Sequence, residues 1–163
     1  KEMVQLISKT NVKIVSTRKT TPNLRVFEKN AVKDGGGVNH RFGLYDGILI
    51  KDNHLAIAGS IKEAVSKARL NSGHMVNVEI EVDNLSQYKD ALETSADAIL
   101  LDNFSLEDLK TAVSIKKNNV TLEASGKITK DSISAIAETG VDLISSGWLT
   151  HSSPALDIGL DFK

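Results

Sequence analysis

Five side chains that can meet an anion stand where apolar runs give out. Arg18 and Lys19 follow the run at 12–15, His40 and Arg41 lie in the glycine-flanked segment 35–43, and Lys51 follows Ile48–Ile50. Guanidinium and ammonium groups match carboxylate and phosphate oxygens through charge-assisted hydrogen bonds, each worth roughly 1.5–3 kcal/mol. A substrate with several carboxylates or phosphates suits such a cluster. The positive charge is local, because 20 Lys+Arg stand against 21 Asp+Glu and the net charge is -1. That balance favours a pocket over a nucleic-acid surface.

Acidic groups recur beside the basic ones. Glu79 and Glu81 interrupt the apolar run at 76–82, and Asp102 follows the run at 98–101. Side chains two apart on a strand share a face, so Glu79 and Glu81 point the same way. Buried carboxylates need partners or a cation. Glu81 with Asp102 suits Mg²⁺ and the hydroxyls of a sugar, since Mg²⁺ takes one or two carboxylates plus substrate oxygens. Pairing of these carboxylates with Lys51 or Arg18 in a buried network is the alternative. Ser125-Gly126-Lys127 and Ser145-Ser146-Gly147, the latter shortly before Thr150-His151, have the composition of loops that cradle phosphate.

These residues need elements that bring them together. Apolar runs at 12–15, 48–50, 76–82, 98–101, 120–122 and 141–144 recur about every 22 residues from Val76 onward. Between them lie helical stripes: Leu85, Tyr88 and Leu92; Leu106, Leu109 and Val113; Ile133, Ile136 and Ala137. Ser105 ahead of Asp108, and Thr129 ahead of Asp131, mark helix starts; Pro22 marks a first helical residue and Gly140 a helix end. Strands alternating with helices imply a parallel sheet with right-handed crossovers. Equal spacing and equal apolarity favour a (β/α) barrel. The 163 residues fall short of the roughly 250 of an eight-strand barrel, so six or seven strands in an incomplete or open barrel are expected. Every polar cluster named above would then lie at the C-terminal ends of strands, on the face where such barrels carry their active sites.

Composition narrows the field. Hydrophobic residues are 40% and aromatics 4%, so Ile, Val, Leu and Ala must build the core. With Cys 0, disulfides, thiolate metal sites and a cysteine nucleophile are excluded. No apolar run approaches the ~20 residues that span a bilayer. No signal peptide is recognisable, and a cytoplasmic location is the default expectation. The whole chain, 1–163, reads as one domain; residues 1–11 read as the tail of a helix leading in from a missing N-terminal part. Gly35-Gly36-Gly37 suits either a mobile loop over the site or a helix stop. His54 and His74 have no second ligand at metal spacing, Trp148 suits packing, and the run 116–119 reads as a solvated helix end.

Taken in order, Thr17-Arg18-Lys19-Thr20, Asn39-His40-Arg41-Phe42-Gly43, Ile50-Lys51-Asp52-Asn53-His54, Glu81-Val82-Asp83, Leu101-Asp102-Asn103, Leu122-Glu123-Ala124-Ser125-Gly126 and Leu149-Thr150-His151-Ser152 resemble the C-terminal barrel domain of the quinolinate phosphoribosyltransferase family. The resemblance runs from about Ser16 to Asp161. It implies phosphoribosyl transfer from phosphoribosyl pyrophosphate to quinolinate with decarboxylation, aided by Mg²⁺, in NAD biosynthesis. It implies that Arg18, His40, Arg41 and Lys51 hold the two carboxylates and that Lys19 lies toward pyrophosphate. Glu81 and Asp102 would serve ribose and Mg²⁺, making Lys51, Glu81 and Asp102 the catalytic set. Ser125, Gly126, Lys127, Ser146, Gly147 and His151 would hold phosphate. The family also implies a homodimer or higher oligomer, with sites shared between subunits, and an N-terminal domain to which nothing here corresponds. Lys127 stands where a second glycine is usual, and Trp148 where a small residue is. An aldolase-like barrel with Lys51 as a Schiff-base amine, a ligand-binding module without turnover, and a transferase for another ring acid are the other readings.

Overall fold

Each apolar run becomes a strand in the computed structural model, which describes residues 1–117 and 119–162. In chain order these are β1 (Lys13–Val15), β2 (Ile48–Ile50), β3 (Val78–Val82), β4 (Ala98–Asp102), β5 (Thr121–Ser125) and β6 (Leu143–Ser145). All neighbours pair in parallel, in the order β1-β6-β5-β4-β3-β2. The last strand thus returns beside the first, and the sheet stays open between β1 and β2. Residues from all six strands or their C-terminal extensions line one cavity, so the sheet curls into an open barrel of six strands.

Alternation explains the two faces. Ile14, Ile50, Val78, Ile80, Val82, Ile99, Leu101, Leu122, Ala124 and Ile144 point outward and form one apolar core with the helices. The helices are α1 (Glu2–Leu6), α2 (Arg25–Asp34), α3 (Asp52–Ala58), α4 (Ile61–Leu70), α5 (Leu85–Leu92), α6 (Leu106–Ser114), α7 (Ile133–Ala137) and α8 (Trp148–His151). Tyr88, Leu92, Leu109, Ile133 and Ala137 of the anticipated stripes are buried, whereas Leu106 is exposed at the first turn of α6. Ser105 caps α6 as expected, accepting the Asp108 N–H at 3.1 Å. Pro22 does not open a helix. Residues 21–24 form a turn with Asn23 in the left-handed region, and α2 starts only at Arg25.

At the N-terminal end of the sheet, two aspartates repeat one device. Asp97, just before β4, accepts the Val78 N–H at 2.7 Å and pairs with Arg69 at 2.5 Å. Asp142, just before β6, accepts the Leu122 N–H at 2.7 Å and pairs with Lys116 at 2.5 Å. Each satisfies an orphan strand-end donor and fixes its own strand to the preceding one. Lys116 is therefore a latch, and Lys117 donates to the Leu92 carbonyl at 2.7 Å, so the expected solvated helix end at 116–119 is instead tied down; Asn118 of that run lies outside the described residues.

Gly35-Gly36-Gly37 resolves as a helix stop. Gly36 has φ +87, and a Cβ on Gly37 would meet Val32 Cγ1 at 2.9 Å and the Ile14 carbonyl at 3.4 Å. This close approach lets Val38 bridge to Val15 on the free edge of β1. The segment after it, 39–47, enters the opening between β1 and β2. No helix among the described residues is long and apolar enough to cross a membrane.

Asp142→Ala removes a charge-assisted strand hydrogen bond and its lysine partner. It should lower unfolding free energy by about 1–3 kcal/mol in urea titration, with the m-value unchanged. An unaltered midpoint would show that this latch does not matter.

Candidate active site at the C-terminal rim

The inward faces of the strands enclose a cavity of about 370 Å³ at their C-terminal ends. From the β1 side come Thr17, Arg18 and Lys19, and from the opening come His40 and Arg41. Strand β2 supplies Leu49 and Lys51, β3 Glu81, β4 Leu100 and Asp102, β5 Glu123 and Ser125, and β6 Ser145. All five basic residues singled out in the sequence therefore share one wall system with Glu81 and Asp102, although up to 84 residues separate them along the chain (102 − 18).

The backbone holds one of these cations in place. Arg41 Nη1 donates to the Gly47 carbonyl at 2.9 Å. Burial, and Arg18 beside it, lower the Arg41 pKa, while Glu79 and Asp46 oppose them. Arg18 Nε is buried without a hydrogen-bond partner in the described structure. Two crowded guanidinium groups, one with an orphaned donor, favour a bound anion. Lys51 Nζ meets Glu81 Oε2 at 2.5 Å, so the lysine–carboxylate pairing weighed from the sequence is present at Glu81. Asp102 Oδ2 accepts from Asn103 Nδ2 at 2.7 Å.

Glu79 lies deeper and takes a different partner, His40, at 2.8 Å from Nε2. Glu123 is 1% exposed; its Oε2 lies 3.7 Å from the same His40 nitrogen and its Oε1 is unpartnered. The Glu79 hydrogen bond, with Glu123 behind it, raises the His40 pKa against the desolvation that opposes it. Burial, reinforced by the Glu79 charge, pushes Glu123 up to about 7. These three side chains have metal-ligand types within 4.8 Å of one another. However, His40 Nδ1 accepts the Arg41 N–H at 2.8 Å, so the neutral ring carries its proton on Nε2, the atom a metal would need. The trio forms a buried polar floor under the cavity, joined by the His40–Glu79 hydrogen bond.

The loops with phosphate-binding composition adjoin the cavity without all lining it. Gly126 has φ +102, and a Cβ there would lie 2.3 Å from Asn103 Oδ1 and 2.8 Å from Asn103 N, so the β4 and β5 loops touch only through a glycine. Lys127 has φ +46, a left-handed position where glycine carries no strain. Ser146 turns away: its hydroxyl donates to the Ile128 carbonyl at 2.8 Å, and its N–H to the Val15 carbonyl at 3.1 Å. Gly147 lies under the His151 ring, where a Cβ would come within 2.6 Å of Nε2. Thr150 ties this turn to the Lys19 carbonyl at 2.5 Å. His54 is structural, accepting the Lys51 N–H at 2.9 Å.

Sequence reasoning passed over Glu123 as a site residue, and it placed Ser145 only within a loop of phosphate-binding composition, whereas both line the cavity. The signal was present, since the alternation that pairs Glu79 with Glu81 also places Thr121, Glu123 and Ser125 on one face of β5.

An open, all-parallel α/β barrel with cations and carboxylates gathered around one cavity at its C-terminal rim defines the class: a (β/α) barrel domain with its polar site where such barrels carry their active sites. The model of the family described as "Quinolinate phosphoribosyl transferase, C-terminal domain" matches residues 1–161, and the chain belongs to that family. The chain is 50% identical over 161 residues to the probable nicotinate-nucleotide pyrophosphorylase [carboxylating] of Bacillus subtilis, covering 99% of this chain and 56% of that protein. It is 43% identical over 150 residues to the nicotinate-nucleotide pyrophosphorylase [carboxylating] of Rattus norvegicus, covering 90% and 50%. Among solved structures, NadC from Streptococcus pyogenes superposes with TM-score 0.91 at 43% identity, covering 96% of this chain and 55% of that one. The nicotinate-nucleotide pyrophosphorylase from Francisella tularensis does so with TM-score 0.87 at 51% identity, covering 91% and 53%. The chain spans about half the length of the curated relatives it matches.

A raised Glu123 pKa means that, between the ordinary carboxylate range and about 7, the folded chain keeps a proton that the unfolded chain releases. Its contribution to stability therefore falls as pH rises through that window. Glu123→Gln should gain thermal stability relative to the parent between pH 5 and pH 8, by a few degrees in Tm; an equal difference at both pH values would exclude a buried ionising Glu123. Gly126→Ala should separate the β4 and β5 loops. Its destabilisation should exceed the ~1 kcal/mol of a left-handed alanine alone, read by urea unfolding.

Proposed function

We propose that this domain, as part of the full-length protein, serves phosphoribosyl transfer from phosphoribosyl pyrophosphate to quinolinate with decarboxylation, giving nicotinate mononucleotide, carbon dioxide and pyrophosphate. The observation that carries this reading is the juxtaposition in one cavity of Arg18, His40, Arg41 and Lys51 with Glu81 and Asp102. Such a cation set exceeds what a single carboxylate would need, and favours a diacid over nicotinate. The names of the relatives support the reading, through proteins about twice as long.

The chemistry follows from these groups. Guanidinium and ammonium donors orient the two carboxylates so that the ring nitrogen faces the anomeric carbon. The nitrogen–carbon bond forms as the bond to pyrophosphate breaks, and the ribose passes through a cation-like state. Carboxylates at Glu81 and Asp102 stabilise that charge, and Lys19 on the β1 loop stabilises the departing pyrophosphate. The ring nitrogen is now cationic, so loss of carbon dioxide leaves an electron pair that it stabilises, and that ring carbon takes a proton. Positioning and charge complementarity carry the reaction, with no covalent nucleophile. Lys51 is engaged by Glu81, which suits a binding role better than a Schiff base.

Glu81 and Asp102 both line the cavity and offer the hard oxygen donors that Mg²⁺ prefers. They would hold it together with substrate oxygens, and the ion would neutralise pyrophosphate charge. In the same reading the phosphate of the ribose lies toward Ser125, Gly126, Lys127, Gly147 and His151, and the protein works as a homodimer with sites shared between subunits.

Calorimetric titration of the full-length protein with quinolinate, with nicotinate as control, tests the substrate class. Selective quinolinate binding is expected, followed by nicotinate mononucleotide on adding phosphoribosyl pyrophosphate and Mg²⁺. Equal binding of both acids would favour a transferase for another ring acid. Arg18→Ala should lower kcat/KM for quinolinate by about 100-fold, corresponding to on the order of 3 kcal/mol of transition-state stabilisation. A near-parental value would remove Arg18 from the site.

A further inference from the structure

The open side of the barrel poses a problem of support. His40 and Arg41 form the cavity wall there, yet 39–46 belong to no strand. Beyond the Val15–Val38 bridge, no backbone–backbone hydrogen bond ties 39–46 to β1 or β2 among the described residues. What lies behind this segment is Lys29, on the inner face of α2. Lys29 is 2% exposed and does not line the cavity. Its Nζ donates to Ser16 Oγ at 2.9 Å, to the His40 carbonyl at 2.9 Å and to the Arg41 carbonyl at 3.1 Å. Ser16 Oγ donates onward to Asn39 Oδ1 at 3.1 Å, and Asn39 Nδ2 donates to the Lys29 carbonyl at 3.0 Å. The circuit closes on itself.

We propose that Lys29 is a positioning residue whose ammonium, through this circuit, stands in for the absent β1–β2 pairing and sets where His40 and Arg41 meet the substrate. The assignment of substrate rests on the function proposed above; the positioning role does not. An ammonium has three N–H donors and here faces three acceptors. A neutral amine has two donors and a lone pair, so losing the proton breaks one link. A buried lysine serving only to fill space would leave its charge uncompensated, and a methyl-terminated chain of similar length would do as well. The charged groups around it are Arg25 on its own helix, Arg18 from the β1 loop and Asp46 from the segment before β2. Burial and the two arginines lower the Lys29 pKa to about 8, with Asp46 opposing, so the circuit should open in mildly alkaline solution.

The test uses the full-length protein, Lys29→Met and Ser16→Ala. Amide hydrogen exchange resolved by peptide is measured at pH 7, and quinolinate KM and kcat are measured from pH 7 to 9.5. Lys29→Met should lose protection selectively at 38–42, raise KM for quinolinate about tenfold and change kcat far less, as expected when ground-state and transition-state binding fall together. Ser16→Ala, a small change that leaves the lysine in place, should do the same more weakly. The parent's KM should rise through about pH 8, and the Lys29→Met profile should be flat there. Unchanged exchange at 38–42 in both variants, or an alkaline limb persisting in Lys29→Met, would overturn the proposal. If Lys29→Met loses protection throughout, Ser16→Ala and the parent's pH profile decide. If the parent turns over no quinolinate, the function proposed above fails, and exchange at 38–42 still decides the role of Lys29.

Discussion

Charge burial inside a small barrel is the constraint on which the rest of this structure depends. Alternation along β3, β4 and β5 turns Glu79, Glu81, Asp102 and Glu123 to the interior, where water is limited. Unpaired carboxylates would not persist there. The groups that meet them arrive from elsewhere: Lys51, after β2, pairs with Glu81, and His40, from the segment in the opening, pairs with Glu79, while Arg18 and Arg41 share the cavity with them. The apolar core between strands and helices can be conventional because this polar interior is separately balanced. The site and the stability of the barrel are two aspects of one charge arrangement.

The opening between β1 and β2 gives that arrangement its shape. A closed sheet would place six inward strands around the axis and leave no room for a cationic wall. Leaving one seam unpaired admits the chain from Asn39 to Gly47, which returns by Arg41 to the Gly47 carbonyl and by Asp46 to the Phe42 and Gly43 amides. The backbone groups forgone at the seam are recovered by side chains. Lys29 and Arg25 donate to carbonyls of this segment from α2, and Arg25 also holds the Arg18 carbonyl at 3.2 Å. One helix thereby orients both arginine-bearing segments.

At the floor, His40 contributes as much to internal balance as to any ligand. Its Nε2 serves Glu79 and its Nδ1 accepts the next backbone amide. With both nitrogens engaged, the ring links the buried Glu79 carboxylate to the segment carrying Arg41. The orphaned Arg18 Nε and the crowding of Arg18 with Arg41 make the opposite wall receptive to an anion.

Much of this was legible in the chain. Apolar runs at regular spacing, with helical stripes between them, sufficed for a parallel barrel of six or seven strands, because strand and helix periods are local properties of backbone geometry. The motifs from Thr17 to Thr20 and from Leu101 to Asn103 marked strand ends, and ends of parallel strands share a rim. Other features had no local signature. Ser146 has the composition of a phosphate loop, yet it spends its hydroxyl on Ile128, which only the packing of the β5 and β6 loops determines. Lys29 reads as an ordinary helix lysine until α2 is laid against the seam. Glu123 could be placed on the inner face by alternation, but its raised pKa comes first from burial and then from the Glu79 charge, with His40 opposing, and all three arise only after folding. Periodicity and residue type thus determined the elements and their faces; long-range contact decided which polar groups are paired, which are orphaned and which hold others in place, because electrostatic energy depends on separation in space and on exclusion of water.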